Sequence, residues 1–181
     1  FLDSLDILAT SGSITMDGRA AGVKLYDDGT LFVGQKTGSA VESSTSNITV
    51  IGDKLFSETV SRFASSGTMT IKPYTAATTI GVAGGAGTLS VPATFFSTNL
   101  VDGFSSVVVG SATAGNITVG DGTNVVNVNY NDPLTLKTAG NIVLNNNASL
   151  TGADGQNASL VLWSDADNSG SGSLSLNRSE E

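Results

Sequence analysis

Short runs in which apolar residues alternate with small polar residues recur along the whole chain. SITMD, which begins at Ser13, and TMTIKP, which begins at Thr68, show the alternation clearly. A period of two over so few residues is typical of strands with one buried face. The runs begin at Ser13, Val23, Thr30, Asn47, Thr68, Thr78, Gly87, Ser105, Asn116, Asn124, Leu134, Asn141, Ser159 and Ser173. Nearly every run ends in Gly, Asn or Asp-Gly, so the pattern predicts an all-β chain of short strands and tight corners.

The spacing of these runs is compatible with a β-solenoid or with an antiparallel β-sandwich. The linkers seldom carry the Asn-Gly dipeptides that two-residue hairpins prefer, and asparagine is abundant at strand ends, as at 145–147. Phrases such as GNITVG at 115 and GNIVLN at 140 also recur, as expected where successive coils place equivalent strands over one another. We therefore predict a β-solenoid and keep the antiparallel β-sandwich as the alternative.

Two segments depart from the alternation and predict short helical insertions. The first lies near residues 53–66, with Asp53 as its N-cap and Gly67 as its stop. The residues of this segment that share one helical face are Leu55, Phe56, Thr59, Val60 and Phe63. The second is a turn or two of helix after Pro92. Its inward-facing residues are Phe95, Phe96 and Leu100.

The amino-acid composition limits the classes of partner and the kinds of catalytic or metal site that are possible. Charged residues make up only 13% of the chain, and 16 acidic side chains against 8 basic ones give a net charge of -8. No basic run could neutralise successive phosphates, which argues against nucleic acid as a partner. Cysteine and histidine are absent, which excludes disulfides, thiolate nucleophiles, Ser-His-Asp catalysis and the usual zinc sites. Since no run reaches the roughly 18 to 20 apolar residues that a bilayer requires, we expect no membrane-spanning segment.

One loop resembles a calcium site. In WSDADNSGSG, from residue 163, Asp165, Asp167 and Ser169 stand at the first, third and fifth positions of a calcium loop, and Gly170 follows at the sixth. The twelfth position, where a bidentate Glu belongs, is Leu176, so an EF-hand is excluded. Asp165, Asp167 and Ser169 are thus our candidate ligands for Ca2+. The competing interpretation is a polar corner between two strands, without a cofactor.

Other candidates for chemistry are weaker. GVAGGAGTLSVP, from Gly81, lacks the Lys-Ser/Thr ending of a phosphate-binding loop, and we interpret it as a glycine-rich corner. Before the terminal Glu180 and Glu181, the close acidic pairs are Asp27 with Asp28 and Asp165 with Asp167, and both lie beside turn glycines, where Asp is common for backbone reasons. Trp163 is expected to pack in its strand. We predict no catalytic residue and no enzyme activity.

Two stretches resemble a known family. Between Gly67 and Gly120 the phrases are TIKP, TTIGVAGGAGTLSV, DGFSSVVVG and GNITVG, and the second stretch runs from Gly140 to Asn177. Both are similar to repeats in very large secreted bacterial adhesins of the filamentous-haemagglutinin, two-partner-secretion type. The resemblance implies a right-handed parallel β-helix, export across the outer membrane, and service as a stalk or adhesive surface.

These observations predict a single β-solenoid segment, 1–181, of a larger repetitive protein. Residues 1–66 form less typical coils, 67–139 a repeat module and 140–181 a following repeat. We expect a non-catalytic structural or adhesive module that is secreted or on the bacterial cell surface. Its partners would be neighbouring repeats of the same parent chain, a host-cell, matrix or glycan surface, or further copies through end-to-end or lateral association. The alternatives are a calcium-stiffened β-sandwich adhesin domain and a carbohydrate-active β-helix.

Overall fold

The computed structural model describes residues 6–25, 30–57, 61–153 and 158–177. Nearly all of its regular structure is β. The strands are, in chain order, β1 (Asp6–Leu8), β2 (Ser13–Arg19), β3 (Val23–Leu25), β4 (Phe32–Gly34), β5 (Asn47–Gly52), β6 (Leu55–Ser57), β7 (Arg62–Ala64), β8 (Thr68–Lys72), β9 (Ile80–Val82), β10 (Leu89–Val91), β11 (Ser106–Gly110), β12 (Ile117–Val119), β13 (Val126–Tyr130), β14 (Leu134–Lys137), β15 (Ile142–Leu144), β16 (Ala148–Gly152), β17 (Leu160–Trp163) and β18 (Leu174–Leu176). Every run of alternating residues identified above contains a strand.

The strands stack in successive coils of a parallel β-solenoid. The first face is a six-stranded sheet in the order β17-β14-β11-β8-β5-β2, so that one strand from each of six coils contributes to it. All of its strand pairs are parallel, with register partners such as Val107 and Leu134. Antiparallel pairing, which a sandwich of hairpins requires, does not occur in the named sheets. The predicted solenoid is confirmed, and the antiparallel sandwich is wrong.

Two further faces complete each coil. The second face follows the first along the chain and contains the pair β3-β6 and the five-stranded sheet β10-β9-β12-β15-β18. The third face precedes the next strand of the first face and contains β1-β4-β7 and the pair β13-β16. The recurrent phrases at 115 and 140 lie in register, because Ile117 pairs with Ile142. Their repetition therefore reflects equivalent places in neighbouring coils, as predicted.

The core is a set of aliphatic columns that run along the solenoid axis. On the first face Ile48, Met69, Val107 and Leu134 stack in register, and all four are buried. On the second face Ile80, Ile117 and Ile142 do the same. Each such side chain contributes about 1.5 to 3 kcal/mol on burial. Because the columns continue from coil to coil, the described residues share one continuous core.

An insertion interrupts the second and third faces in the middle of the solenoid. After β9 the chain turns back, and β10 then runs parallel to β9 on the side of β9 opposite β12. Leu89 pairs with Ile80. A π-helix, Phe95–Asn99, then contacts β7 and β13 and separates the two sheets of the third face. This π-helix confirms the insertion predicted after Pro92, and its Phe95 and Phe96 are buried, as is the adjoining Leu100.

The glycine-rich stretch 81–87 makes the reversal possible. A Cβ atom added to Gly81 would lie 2.0 Å from the carbonyl oxygen of Gly85, and one added to Gly87 would lie 2.1 Å from the amide nitrogen of Gly81. The returning chain thus crosses β9 at backbone contact distance, which side chains would prevent. We expected a glycine-rich corner here, and the structure shows a chain crossing.

The helix predicted near residues 53–66 is wrong. The segment contains β6 and β7, which pair in parallel with β3 and β4. Leu55 is buried and Phe56 exposed, so the two do not share a face as the helical pattern required. Thr59 and Val60, which completed that pattern, lie outside the described residues. Parallel pairing with neighbouring coils outweighed the helical spacing, because it satisfies the backbone and still buries Leu55 and Phe63.

Four strands were not predicted, namely β1, β6, β7 and β16. Three of them have only three residues, too few for alternation to be evident. The fourth, β16, follows the asparagine run 145–147 and pairs over its full length with β13. Within the part of the chain that the structure describes, none of the helical structure has the length and apolar character needed to cross a bilayer.

Candidate functional site

The loop from Ser164 to Ser173 joins β17 to β18 at the corner between the first and second faces. The Asp165 carboxylate accepts hydrogen bonds from the Ser169 hydroxyl (3.0 Å) and from the backbone N–H of Gly170 (3.0 Å to Oδ1 and 3.1 Å to Oδ2). Asp165 and Asn168 have φ angles of 53° and 58°, in the left-handed region that tight corners use. The loop is therefore a compact turn that Asp165 organises from inside.

The three predicted ligands lie in one loop but differ in their hydrogen bonds. Asp167 accepts one hydrogen bond, 3.3 Å from the backbone N–H of Ser169, and is exposed. Burial raises the pKa of Asp165, but the hydrogen bonds from Ser169 and Gly170 outweigh it, so the pKa lies below its ordinary value. The carboxylate is thus ionised and already hydrogen-bonded within its own loop. Among the described residues, no group of three or more acidic side chains gathers here or elsewhere.

A groove of about 380 Å3 lies beside this loop. Its walls combine small side chains from successive coils with polar groups of the loop. The residues include Ala77, Ala114, Ala139, Asp167, Ser169 and Ser171. Carboxylate and hydroxyl oxygens of the loop therefore face a concave surface of small residues. Calcium binding by Asp165, Asp167 and Ser169 remains a prediction, to be tested below.

Amide side chains connect the coils along the same corner. Asn116 Oδ1 accepts a hydrogen bond from the backbone N–H of Asn141 (2.9 Å). In turn, Asn141 Oδ1 accepts from the backbone N–H and the hydroxyl of Ser173 (2.8 and 2.9 Å). A Cβ on Gly115 would lie 2.3 Å from the backbone carbonyl oxygen of Ala77, which explains why glycine precedes asparagine in the first of the recurrent phrases. The Gly-Asn corners are thus inter-coil connections.

Sequence reasoning missed two buried carboxyl groups that lie between coils. Asp53 accepts hydrogen bonds from the backbone N–H groups of Tyr74 (3.0 Å) and Thr75 (2.8 Å) and from the Thr75 hydroxyl. Burial raises its pKa, yet these bonds leave the pKa below the usual value. Asp53 was expected to cap a helix, and instead it caps the loop of the next coil.

The second missed group is Asp132, which precedes β14 and accepts a hydrogen bond from the backbone N–H of Gly103 (2.8 Å). Its pKa is raised, first by burial and then by the nearby Asp102 carboxylate. The partners of both buried groups are 20 to 30 positions away along the chain, so no local motif reveals them. Only the stacking of coils brings them together.

The remaining candidates are Trp163, whose position differs from the prediction, and the acidic pair Asp27 and Asp28. Trp163 is half exposed and does not pack in the core, because its side chain lies on the outer side of the first face. The Lys137 ammonium lies 4.0 Å from the centre of its ring, a cation–π contact between neighbouring coils. Asp27 and Asp28 lie outside the described residues.

Comparison of the chain with protein-family models, curated proteins and solved structures gave no significant match.

Proposed function

We propose that this chain is a structural or adhesive module of a large secreted bacterial protein, displayed at the cell surface as part of an extended stalk. The observation that carries the proposal is the equivalence of the coils. Aliphatic columns, amide connections and parallel register continue from one coil to the next, so a coil can be added without a new kind of contact. The sequence resemblance to filamentous-haemagglutinin-type adhesins supports the same role and compartment.

Its mechanism is mechanical. Load applied along the axis is borne by inter-coil backbone hydrogen bonds, such as Ile117 N–H to Asn141 O (2.8 Å) and Ile142 N–H to Ser173 O (2.8 Å). These bonds act together because β12, β15 and β18 lie in one sheet. The half-exposed Trp163 and Tyr74 and the groove beside Asp167 provide surface for adhesive contacts.

Insertion of one additional coil tests the stalk role. A second copy of residues 107–133, placed directly after residue 133, supplies one register repeat, because Val107 pairs with Leu134. We expect a cooperatively folded chain whose X-ray scattering profile is longer by about 4.8 Å. The matched control lacks Val108 in the inserted copy, which moves inward residues outward and should prevent folding. An unfolded chain with the intact insertion would contradict the proposed equivalence of coils.

A retention assay tests the adhesive role. Beads coated with the chain should remain on matrix proteins or immobilised glycans under flow more often than beads coated with an unrelated protein of equal mass. Equal retention of both kinds of beads on every surface would leave only the stalk role. The insertion experiment and the bead experiment fail independently of each other.

A further inference from the structure

Side chains on the outer surface of the first face form rows that run from coil to coil. Buried residues of β8 and β14 alternate with partly exposed ones, and the parallel register places the outward residues of successive strands side by side. One row, which we call the threonine row, has a β-branched residue in each of the six strands. Its members are Thr15, Thr49, Thr70, Val108, Thr135 and Val161. The row is nearly uniform in width and about 24 Å long over its five strand spacings.

A second row, two residues farther along the strands, varies in charge and size. We call it the lysine row, and its members are Asp17, Ile51, Lys72, Gly110, Lys137 and Trp163. Its one carboxylate, on Asp17, is separated by several strands from the ammonium group of Lys137. Between the two lysines, Gly110 has no side chain and leaves a gap. An occupant that fits this row must supply a carboxylate near Lys137 and a long side chain for the gap.

The ammonium group of Lys137 lies toward β17 rather than toward the gap. Its Nζ is 4.0 Å from the centre of the Trp163 ring, and this ring is 46% exposed. No carboxylate of the described residues lies within ion-pair distance of Lys137. A carboxylate that approaches the Trp163 ring from outside therefore meets an ammonium group that is already in place.

We propose that this surface binds the same surface of a second copy of the chain. The two copies are related by a two-fold axis that is parallel to the strands and passes between β8 and β11. The axis places Lys72 opposite Gly110 of the second copy, so that its long side chain fills the gap. It also places Asp17 opposite Trp163 of the second copy, where the Lys137 ammonium group lies.

The threonine rows of the two copies then face each other along their length. Thr70 lies opposite Val108 of the second copy, and every other facing pair is also β-branched. Sheets that pack face to face with interdigitating side chains are about 10 Å apart. Charge fixes the position of the axis, because an axis through β8 would oppose Lys72 to its own copy and one through β11 would oppose it to Lys137.

The area of this contact predicts a weak dimer. Six strands with three outward residues each cover roughly 500 Å2 per copy, against about 800 Å2 in an interface of standard size. We therefore expect a dissociation constant on the order of 100 μM. The two solenoids lie side by side with antiparallel axes. This inference goes beyond the proposed function and does not depend on it, because the contact requires only the two rows.

Exchange of charges tests the pairing of Asp17 with Lys137, with mass measured by analytical ultracentrifugation over a wide concentration range. Asp17→Lys and Lys137→Glu should each weaken association at least about tenfold, because like charges then meet twice in each dimer. An equimolar mixture of the two variants should associate within about threefold of wild type, since the mixed dimer opposes unlike charges at both places. Within one copy β2 and β14 are about 19 Å apart, so this rescue can arise only across the contact.

Two further variants control the experiment. Lys54→Glu makes the same change of charge at an exposed residue in the corner between β5 and β6, outside the first face, and should associate like wild type. Val108→Lys places a charge at the centre of the contact and should leave the chain monomeric. Circular dichroism spectra and thermal melts should show that all variants are folded.

Fluorescence gives a second readout, because Trp163 is the only tryptophan of the chain. Its emission should shift to shorter wavelength as the wild-type concentration rises, since contact with the second copy removes water from the ring. The shift should follow the increase in mass and should be absent in Val108→Lys.

Four results would overturn the proposal. A wild-type chain that stays monomeric at about 1 mM would show that the surface does not bind a second copy. Association that persists in folded Val108→Lys, or that leaves the Trp163 emission unchanged, would place the contact elsewhere. Folded charge variants whose mixture does not associate would exclude the two-fold arrangement, and assemblies that grow beyond a dimer would exclude a closed contact.

Discussion

The carboxylate of Asp53, at the corner between β5 and β6 of the second coil, accepts hydrogen bonds from both the backbone N–H and the hydroxyl of Thr75 in the third coil. The Tyr74 N–H and the Thr78 hydroxyl, 3.0 and 3.4 Å away, complete its shell. One ionised side chain thus holds a seven-residue connection between β8 and β9 against the preceding coil.

Replacement of Asp53 should destabilise the chain in a pH-dependent way. We expect Asp53→Ala to lower the free energy of unfolding by about 2 kcal/mol at neutral pH, because several partly buried hydrogen bonds to a charged acceptor are lost. The pKa of Asp53 is lowered by folding, so its contribution is present above the ordinary Asp range and is lost as pH falls through the folded pKa. Denaturant titrations should show that the free energies of unfolding of the variant and the wild type converge in acid. A constant difference down to pH 2, roughly, would contradict this role.

Asp132 should have the opposite pH dependence. Its pKa is raised in the folded chain, so its favourable contribution is complete below the ordinary Asp range and is lost as pH rises through the folded pKa. Asp132→Asn keeps an acceptor for the Gly103 N–H and removes the buried charge. We expect its Tm to exceed that of wild type by about 2 °C at pH 7 and the gain to vanish in acid. Asp17→Asn, on the exposed surface, is the control for replacing a carboxylate that is not buried.

The inward and outward positions of β11 allow a paired test of the core. Val109 is fully buried, whereas the adjacent Val108 lies on the outer side of the same strand. Val109→Asp should cost about 4 kcal/mol or more, because an unpaired carboxylate enters the aliphatic column. Val108→Asp should cost far less. Thermal melts of the two variants measure the difference, and similar Tm values would mean that β11 is turned the other way.

The crossing of the chain over β9 predicts sensitivity to a single methyl group. Gly81→Ala should lower Tm by several degrees, since its Cβ would meet the Gly85 carbonyl and the backbone cannot yield as a side chain would. Ala86→Ser changes an exposed residue of the same loop and serves as control. If the two variants melt alike, residues 81–87 do not cross at contact distance.

Calcium titration tests the loop at Asp165. Because Asp165 is already hydrogen-bonded to Ser169 and Gly170, we expect the turn to remain closed when a chelator is added. Asp165→Ala should then lower Tm in the chelator, while Asp167→Ala should not. A rise in wild-type Tm on adding calcium, abolished by either substitution, would instead assign the ion to Asp165, Asp167 and Ser169.

Local patterns were sufficient for most strands and for the π-helix after Pro92. Alternation identifies a strand such as β11 because successive residues face the core and the solvent in turn. Apolar and polar residues therefore alternate in its sequence. The same reasoning failed at residues 53–66, where a helical spacing of apolar residues competed with parallel pairing to neighbouring coils. It also placed Trp163 inside, since the sequence around it does not show that Leu160 and Leu162, rather than Trp163, continue the core columns.

The sequence by itself determined that the chain is all-β, that its corners are rich in glycine and asparagine, and that histidine and cysteine chemistry is excluded. These properties are local or compositional, so they can be read without knowing which residues meet. Tertiary structure decided the functions of Asp53, Asp132 and Gly81. Each of these depends on contacts between coils. Such contacts arise from the register of stacking, which brings together residues that are far apart along the chain.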